Sequence, residues 1–211
     1  MSAEFFARKR FIVVITAPSG AGKTTVIKRL LETNTGLSYS ISATTRERRA
    51  EEEDGRDYYF LSEGEFRKKI DAGEFAEWAE VHGSFYGTLR SQVEQKLTGG
   101  SHLLMDVDVQ GARQLKNSYR DGVYIFLIPP SMQELKRRLV KRHTEDKHHL
   151  EVRLKNAVKE IASFPDFGYL VVNDHLEQTV EEVLQVIRAE ELKTNRLSDP
   201  AGIAKLYLDK P

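Results

Sequence analysis

The chain contains no cysteine, which excludes disulfides, thiol catalysis and cysteine-based zinc sites. It also lacks an excess of either charge: Lys plus Arg and Asp plus Glu both total 32. Nothing therefore marks a general polyanion binder, although local basic patches remain compatible with that balance. No apolar run approaches the roughly 20 residues that a membrane span needs. The first run, FIVVIT at 11–16, is too short for a secretion signal. These absences lead to the expectation of a soluble cytoplasmic protein that engages neither nucleic acid nor membrane. There is no internal repeat and no low-complexity stretch. A length of 211 residues accommodates one domain with a sizeable core and inserted subdomains. Monomer and homo-oligomer both stay open.

What is present is an alternation. Five apolar runs read as buried parallel strands: FIVVIT (11–16), LSYSIS (37–42, the weakest), HLLMDV (102–107), VYIFLI (123–128) and YLVVN (169–173). Helical patterns lie between most of them, so the fold class is α/β. Two stretches break the rhythm. Residues 43 to about 98 carry the strand-like pieces DYYFL and EFAEWAEV and two short helices, one opening on the capping box Ser62/Glu65 and stopping near Gly73. This reads as an insertion with its own small sheet. Residues 131–163 form two highly charged helical segments, the first capped by Ser131 and Glu134, which are expected to bury little. A last helix is expected from about Glu177 to Leu192, and the tail holding Ile203, Leu206 and Leu208 is ambiguous.

The segment APSGAGKTTV (17–26) carries the second half of the phosphate-binding pattern G-x-x-x-x-G-K-[ST]. The first position is Ala17, not glycine. Ala17 precedes Pro18, which pushes it into the extended region that an L-residue reaches without strain. Gly20 and Gly22 remain where backbone must approach phosphate. A buried strand before the loop and a helix after it, with Val26, Ile27, Leu30 and Leu31 at helical spacing, supply the required context. Backbone N–H groups and the helix N-terminus then make an anion site, with Lys23 reaching the β/γ-phosphates and Thr24 holding Mg²⁺.

Asp106, near the end of a strand beside that loop, stands where a Mg²⁺-organising carboxylate belongs; the alternative is a cap for the next helix. Asp108 faces the same way if the strand continues. SATTRERR gathers Arg46, Arg48 and Arg49, which are either forks for a phosphate or a solvated loop balanced by EEED (51–54). Trp78 reads as core, and Glu77 and Glu80 as surface residues. Arg137, Arg138, Arg142 and Arg153 form a charged face that reads as a solvated surface for most of them, or as one that swings over a phosphate site so that one or two supply charge there. His143, His148 and His149 lack the carboxylate-rich surroundings of a metal site.

In order, the pieces APSGAGKTT, SISATTRERRAEEEDGRDYYF, GEFAEWAEVHGSFYGT, LLMDVDVQGA, IFLIPPS, LKRRLVKRHT, RLKNA and VVND resemble the guanylate kinases, from about Phe11 to Glu191. The resemblance implies a P-loop kinase fold with a five-stranded parallel core sheet (about 1–42, 99–130 and 164–211). It adds an inserted GMP-binding subdomain with a small mixed sheet (about 43–98) and a helical lid (about 131–163). The implied activity is ATP-dependent phosphorylation of GMP, and of dGMP, to GDP by in-line transfer, with Mg²⁺ accompanying ATP.

Carried over position by position, the family's ATP loop falls on Ser19, Gly20, Ala21, Gly22, Lys23, Thr24 and Thr25, with Thr24 a direct Mg²⁺ ligand and Asp106 acting through water. Its guanine contacts fall on Ser42, Glu77, Thr88 and Asp108. Its GMP-phosphate contacts fall on Arg46, Arg49, Tyr58 and Tyr86. Its lid arginines fall on Arg138, Arg142 and Arg153, and its adenine-side contact on Asn173. The implied catalytic set is Lys23, Arg46, Arg49, Arg138 and Arg153.

Four positions depart from the family pattern. They are Ala17; Arg48, where the family has proline; Glu51, where it has glycine; and His143, where it has glycine. Two rivals keep the fold: a non-catalytic interaction domain, which usually degrades the phosphate loop, and a kinase for another phosphorylated acceptor, which lacks the guanine set.

Overall fold

Alternate side chains of the central strands enter two apolar clusters on opposite faces, and both faces are buried. The computed structural model describes residues 6–81, 83–142 and 147–208, with side chains described except at 141, 142 and 147–149. The strands are β1 (Ile12–Thr16), β2 (Leu37–Tyr39), β7 (His102–Asp106), β8 (Val123–Ile128) and β9 (Tyr169–Val172). They pair in the order β2-β7-β1-β8-β9, and every pair is parallel. Val13, Ile15, Leu104, Ile125 and Val171 face one cluster with Val26, Ile27 and Leu30 of α1 (Lys23–Thr33) and Val180, Val183 and Ile187 of α7 (Leu176–Glu191). Ile12, Val14, Leu103, Met105 and Tyr124 face the other. There they meet Val93 of α3 (Arg90–Thr98) and Ala112 and Leu115 of α4 (Val109–Ser118). Helices thus cover both faces, as an all-parallel sheet requires.

A second sheet lies in the stretch that breaks the alternation. It joins β3 (Ala43–Thr44), β4 (Tyr59–Phe60), β5 (Phe75–Val81) and β6 (Ser84–Leu89) in the order β4-β3-β6-β5. β3 and β4 are parallel, whereas β3–β6 and β5–β6 are antiparallel. Its own cluster holds Ala43, Phe66, Phe75 and Phe85. Phe66 belongs to α2 (Glu63–Asp71), whose start is the expected reciprocal box: Glu65 N–H donates to Ser62 Oγ and Ser62 N–H to Glu65. Ala76 turns the other way and packs into the core cluster beside Ala112 and Leu115.

Three expectations are corrected, and the ambiguous tail is settled. The run 37–42 is a strand only over 37–39, so Ser42 lies in the link to β3. β7 ends at Asp106, and Asp108 caps α4, its Oδ1 accepting from Gly111 N–H at 2.8 Å. A short acceptor side chain at that position satisfies an orphan helix donor, which stops the strand before it reaches Asp108. The charged stretch 131–163 does bury apolar side chains. Leu135 and Leu139 of α5 (Met132–Arg142) and Ala157 of α6 (Lys147–Ile161) form a small core with Leu150, Leu154 and Ile161, because both helices carry apolar residues at three- and four-residue spacing. The tail forms α8 (Pro200–Leu208), with Ile203 and Leu206 half-buried and Leu208 exposed.

Candidate active site

The loop between β1 and α1 opens the site. Gly20 and Gly22 have φ of +88° and +92°, a region that L side chains rarely adopt. A Cβ on Gly22 would lie 2.5 Å from Asn173 Nδ2, and one on Gly20 2.7 Å from Leu139 Cδ2. The loop is thus enclosed by α5 and the end of β9. Ala17 packs against the core cluster, so the methyl group at the first loop position is in use. The turn closes through Ala21 N–H to the Pro18 carbonyl at 3.0 Å.

Lys23 is the first residue of α1. Its Nζ donates to the Val107 carbonyl at 3.0 Å and forms an ion pair with Asp106. Thr24 and Thr25 are exposed at the loop mouth. Arg153 Nη2 donates to Ser19 Oγ at 3.1 Å, and Ser19 N–H donates to Glu160 at 3.2 Å. Arg138 Nη1 reaches the Ala21 carbonyl at 3.3 Å. Asn173, buried, donates to the same carbonyl at 2.6 Å and accepts from Thr179 Oγ1 at 3.2 Å, so it braces the loop. Gly20, Gly22, Thr25, Arg138 and Asn173 line one hollow beside the loop. Arg142, His143, His148 and His149 lie outside the described side chains.

Glu134 holds two arginines, Arg137 at 2.6 Å and Arg138 at 2.7 Å. Those bonds, the one from Arg137 first, keep its carboxyl down at about 2.

On the other side of Lys23 lies an open pocket of about 720 Å³, its mouth included. It brings together Lys23, Ser42, Tyr58, Glu77, Tyr86, Asp106 and Asp108. Thr88 pairs with Glu77 across β5–β6 and bonds to its carboxylate. Glu77 is 5% exposed. Burial, with Asp108 nearby, raises its carboxyl to about 7 against the opposing Thr88 bond. An acceptor this dry discriminates strongly between donors. Burial likewise raises Tyr58, so its phenol stays protonated and able to donate.

Arg46 approaches the pocket rim, stacked 5.5 Å from the Tyr58 ring and paired with Glu52 at 2.7 Å. The other oxygen of Glu52 accepts the Arg49 N–H at 2.9 Å. One carboxylate thus organises both arginines, although Arg48 and Glu51 occupy the loop. The Arg49 side chain is exposed and does not line the pocket among the described residues.

The sequence reading missed Tyr39 and Asp57, which line the pocket, as well as Glu52 and Glu160. Tyr39 sits on the weakest apolar run and Asp57 on a loop, where periodicity gives no signal. Glu52 lies within the acidic run that was read only as a solvated counter-charge.

A phosphate loop at the head of the central strand of a parallel sheet, with an ion-paired lysine and a neighbouring strand-end carboxylate, defines a protein of the P-loop kinase fold. A family profile described as guanylate kinase matches residues 9–190. A guanylate kinase of Thermotoga maritima is 46% identical over 188 residues, 89% of this chain and 91% of that relative. One of Clostridium tetani is 43% identical over 197 residues, 93% and 94% of the two chains. The crystal structure of guanylate kinase from Anaplasma phagocytophilum superposes with a TM-score of 0.81 at 33% identity, covering 98% of this chain and all of that one. The chain belongs to the guanylate kinase family. Among the described residues no helix is long and apolar enough to cross a membrane.

Proposed function

We propose that this chain transfers the γ-phosphoryl group of ATP to GMP, and to dGMP, giving ADP and the guanosine diphosphate. The observation that carries the reading is one pocket in which buried Glu77, beside Asp108, lies across from Lys23 and Asp106. Guanine offers N1–H and a 2-amino group on one edge, and two carboxylates with Thr88 and Ser42 suit that pair of donors. Adenine cannot present both donors. Arg46, Arg49, Tyr58 and Tyr86 would then take the GMP phosphate.

On the ATP side, the loop from Ser19 to Thr25 would cradle the phosphates through its N–H groups. Arg142, a lid arginine, would join the ATP site, and Asn173 would border the adenine side. An ionised phosphate oxygen attacking in line needs little or no general base, so the work is positioning and charge stabilisation. Lys23, Arg46, Arg49, Arg138 and Arg153 would spread the transition-state charge in a drier, closed site.

The donor set also fits Mg²⁺. The Thr24 hydroxyl would bind it directly and the Asp106 carboxylate through water, a sparse oxygen set of the kind Mg²⁺ takes when substrate phosphates complete its shell. When bound it supplies charge neutralisation at the phosphates. We read residues 43–98 as the GMP-binding insertion and 131–163 as the lid on a core of the remaining chain, acting in the cytoplasm.

The test is ADP release from Mg·ATP with GMP, dGMP, AMP, CMP, UMP and ribose phosphates as acceptors. GMP and dGMP should dominate. Equal use of AMP, or preference for a ribose phosphate, would reject the guanine assignment.

A further inference from the structure

The strand that carries Glu77 is bonded to a residue of a different layer. Gln114 lies on α4, which packs against the core sheet, and its side-chain amide bonds twice to the Trp78 backbone. Trp78 N–H donates to Oε1 at 3.1 Å, and Nε2 donates to the Trp78 carbonyl at 2.6 Å. Backbone polarity fixes which end of the amide faces which group, so the pair imitates one rung of a sheet between a helix side chain and β5. One turn earlier on the same helix stands Gly111. A Cβ there would lie 2.6 Å from Glu77 Oε2 and 3.3 Å from its Cδ. Gly111 therefore leaves room for the carboxylate, while its N–H is bonded to Asp108. Residues three apart share a helix face, so Gly111 and Gln114 meet consecutive residues of β5. Ala76 packs beside them against Ala112 and Leu115.

We propose that Gly111 and Gln114 are positioning residues for guanine selection, a clasp that fixes Glu77 relative to Asp108 across the junction of the two sheets. This rests on the reading of the pocket as the GMP site. Asp108 is the cap of the helix that carries the clasp, so both carboxylates are referred to one rigid element. Without the amide, β5 is free to withdraw from α4, and the spacing between the two acceptors is no longer set.

The test replaces the amide by an apolar side chain of similar length, Gln114→Met, in the full chain. Trp78 is the single tryptophan, so its fluorescence monitors both folding and GMP titration without turnover. The expected result is a KM and Kd for GMP raised about five- to tenfold. The kcat and the KM for ATP should stay within about twofold. The preference for GMP over IMP, which keeps N1–H but lacks the 2-amino group, should narrow at least about threefold. A variant that merely lowers the folded fraction would reduce kcat and leave KM and the GMP/IMP ratio at parental values; that result overturns the clasp, as does a fully parental variant. If Gln114→Met does not fold, Gln114→Glu is read by the same ratios, since it keeps the bond from Trp78 N–H and loses the one to the carbonyl. A parent protein that phosphorylates AMP as well as GMP would refute the proposed function instead, whatever Gln114 does.

Discussion

The Lys23 ammonium is ion-paired with the Asp106 carboxylate, so the first residue of α1 is tied to the last residue of β7, the strand beside β1. The lysine also donates to Val107 O and is therefore pre-aimed along the head of the sheet. Lys23→Ala should lower kcat by at least about 100-fold, the scale seen when one preorganised charge-stabilising donor is removed. The far-UV circular dichroism should be unchanged. Near-parental turnover would remove Lys23 from the catalytic set. Ala17→Gly should leave the KM for ATP near parental, because the loop's positive-φ positions are already glycine; a large gain in ATP affinity would contradict this.

Base choice should follow Glu77 and ignore Glu80. Glu77→Gln keeps shape but leaves a neutral acceptor; a hydrogen bond to a charged group contributes roughly 1.5–3 kcal/mol. Part of that survives in the amide, so kcat/KM for GMP should fall about tenfold, with the KM for ATP unmoved. Glu80 is exposed, and Glu80→Gln should be silent. Equal effects of the two substitutions would contradict the guanine assignment.

The same residue should leave a signature in stability. Burial raises the Glu77 carboxyl to about 7, above its value in the unfolded chain. Its contribution is therefore fully present below about pH 4.5 and is lost as the pH rises through about 7. Glu77→Gln, always neutral, should accordingly raise the melting temperature at pH 8 and give no advantage near pH 4.5. Calorimetry at the two values decides it; a gap that widens toward acid would show that the carboxyl is not raised. Binding should mirror this. The KM for GMP of the parent should fall from pH 6 to pH 8 relative to that of Glu77→Gln, which sees the same titration of the GMP phosphate.

Closure of the 131–163 stretch is measurable by hydrogen exchange. Leu135 and Leu139 press on Gly20, and Arg138 and Arg153 touch the loop. Amides of α5 and α6 should exchange more slowly with ATP and GMP bound together than with either alone. Exchange indifferent to both nucleotides would rule out a lid. Leu139→Ala, which removes a buried side chain, should raise the KM for ATP and speed exchange in α5.

The parallel strands were legible because strands covered on both faces are continuous apolar runs, and the loop was legible because glycine spacing is a backbone requirement. β4 was legible within DYYFL, whereas β3, two residues long, is too short to carry a period. β6 was not anticipated because Gly87 interrupts its apolar face, and that glycine is there because a Cβ would lie 2.8 Å from the Glu77 carbonyl. Glu77 itself reads as a surface residue in the one-dimensional pattern. Only the packing of β5 on α4 takes it out of water, and that contact joins segments far apart in the chain. The direction of Asp108 was conditional on the strand continuing, because its capping role depends on where β7 stops.

The connectivity of the central sheet sets a timetable for synthesis. β1 is flanked by β7 and β8: Ile12 pairs with Leu103 and Val13 with Val123. Its apolar residues therefore leave the ribosome on the order of a hundred residues before either neighbour exists. At about 5–20 residues per second, that is a wait of roughly 5–20 s with an unpaired hydrophobic strand. The second sheet, whose strands all lie between residues 43 and 89, can pair during that interval. The nascent chain would then carry a formed second sheet before the sheet that carries the loop has closed.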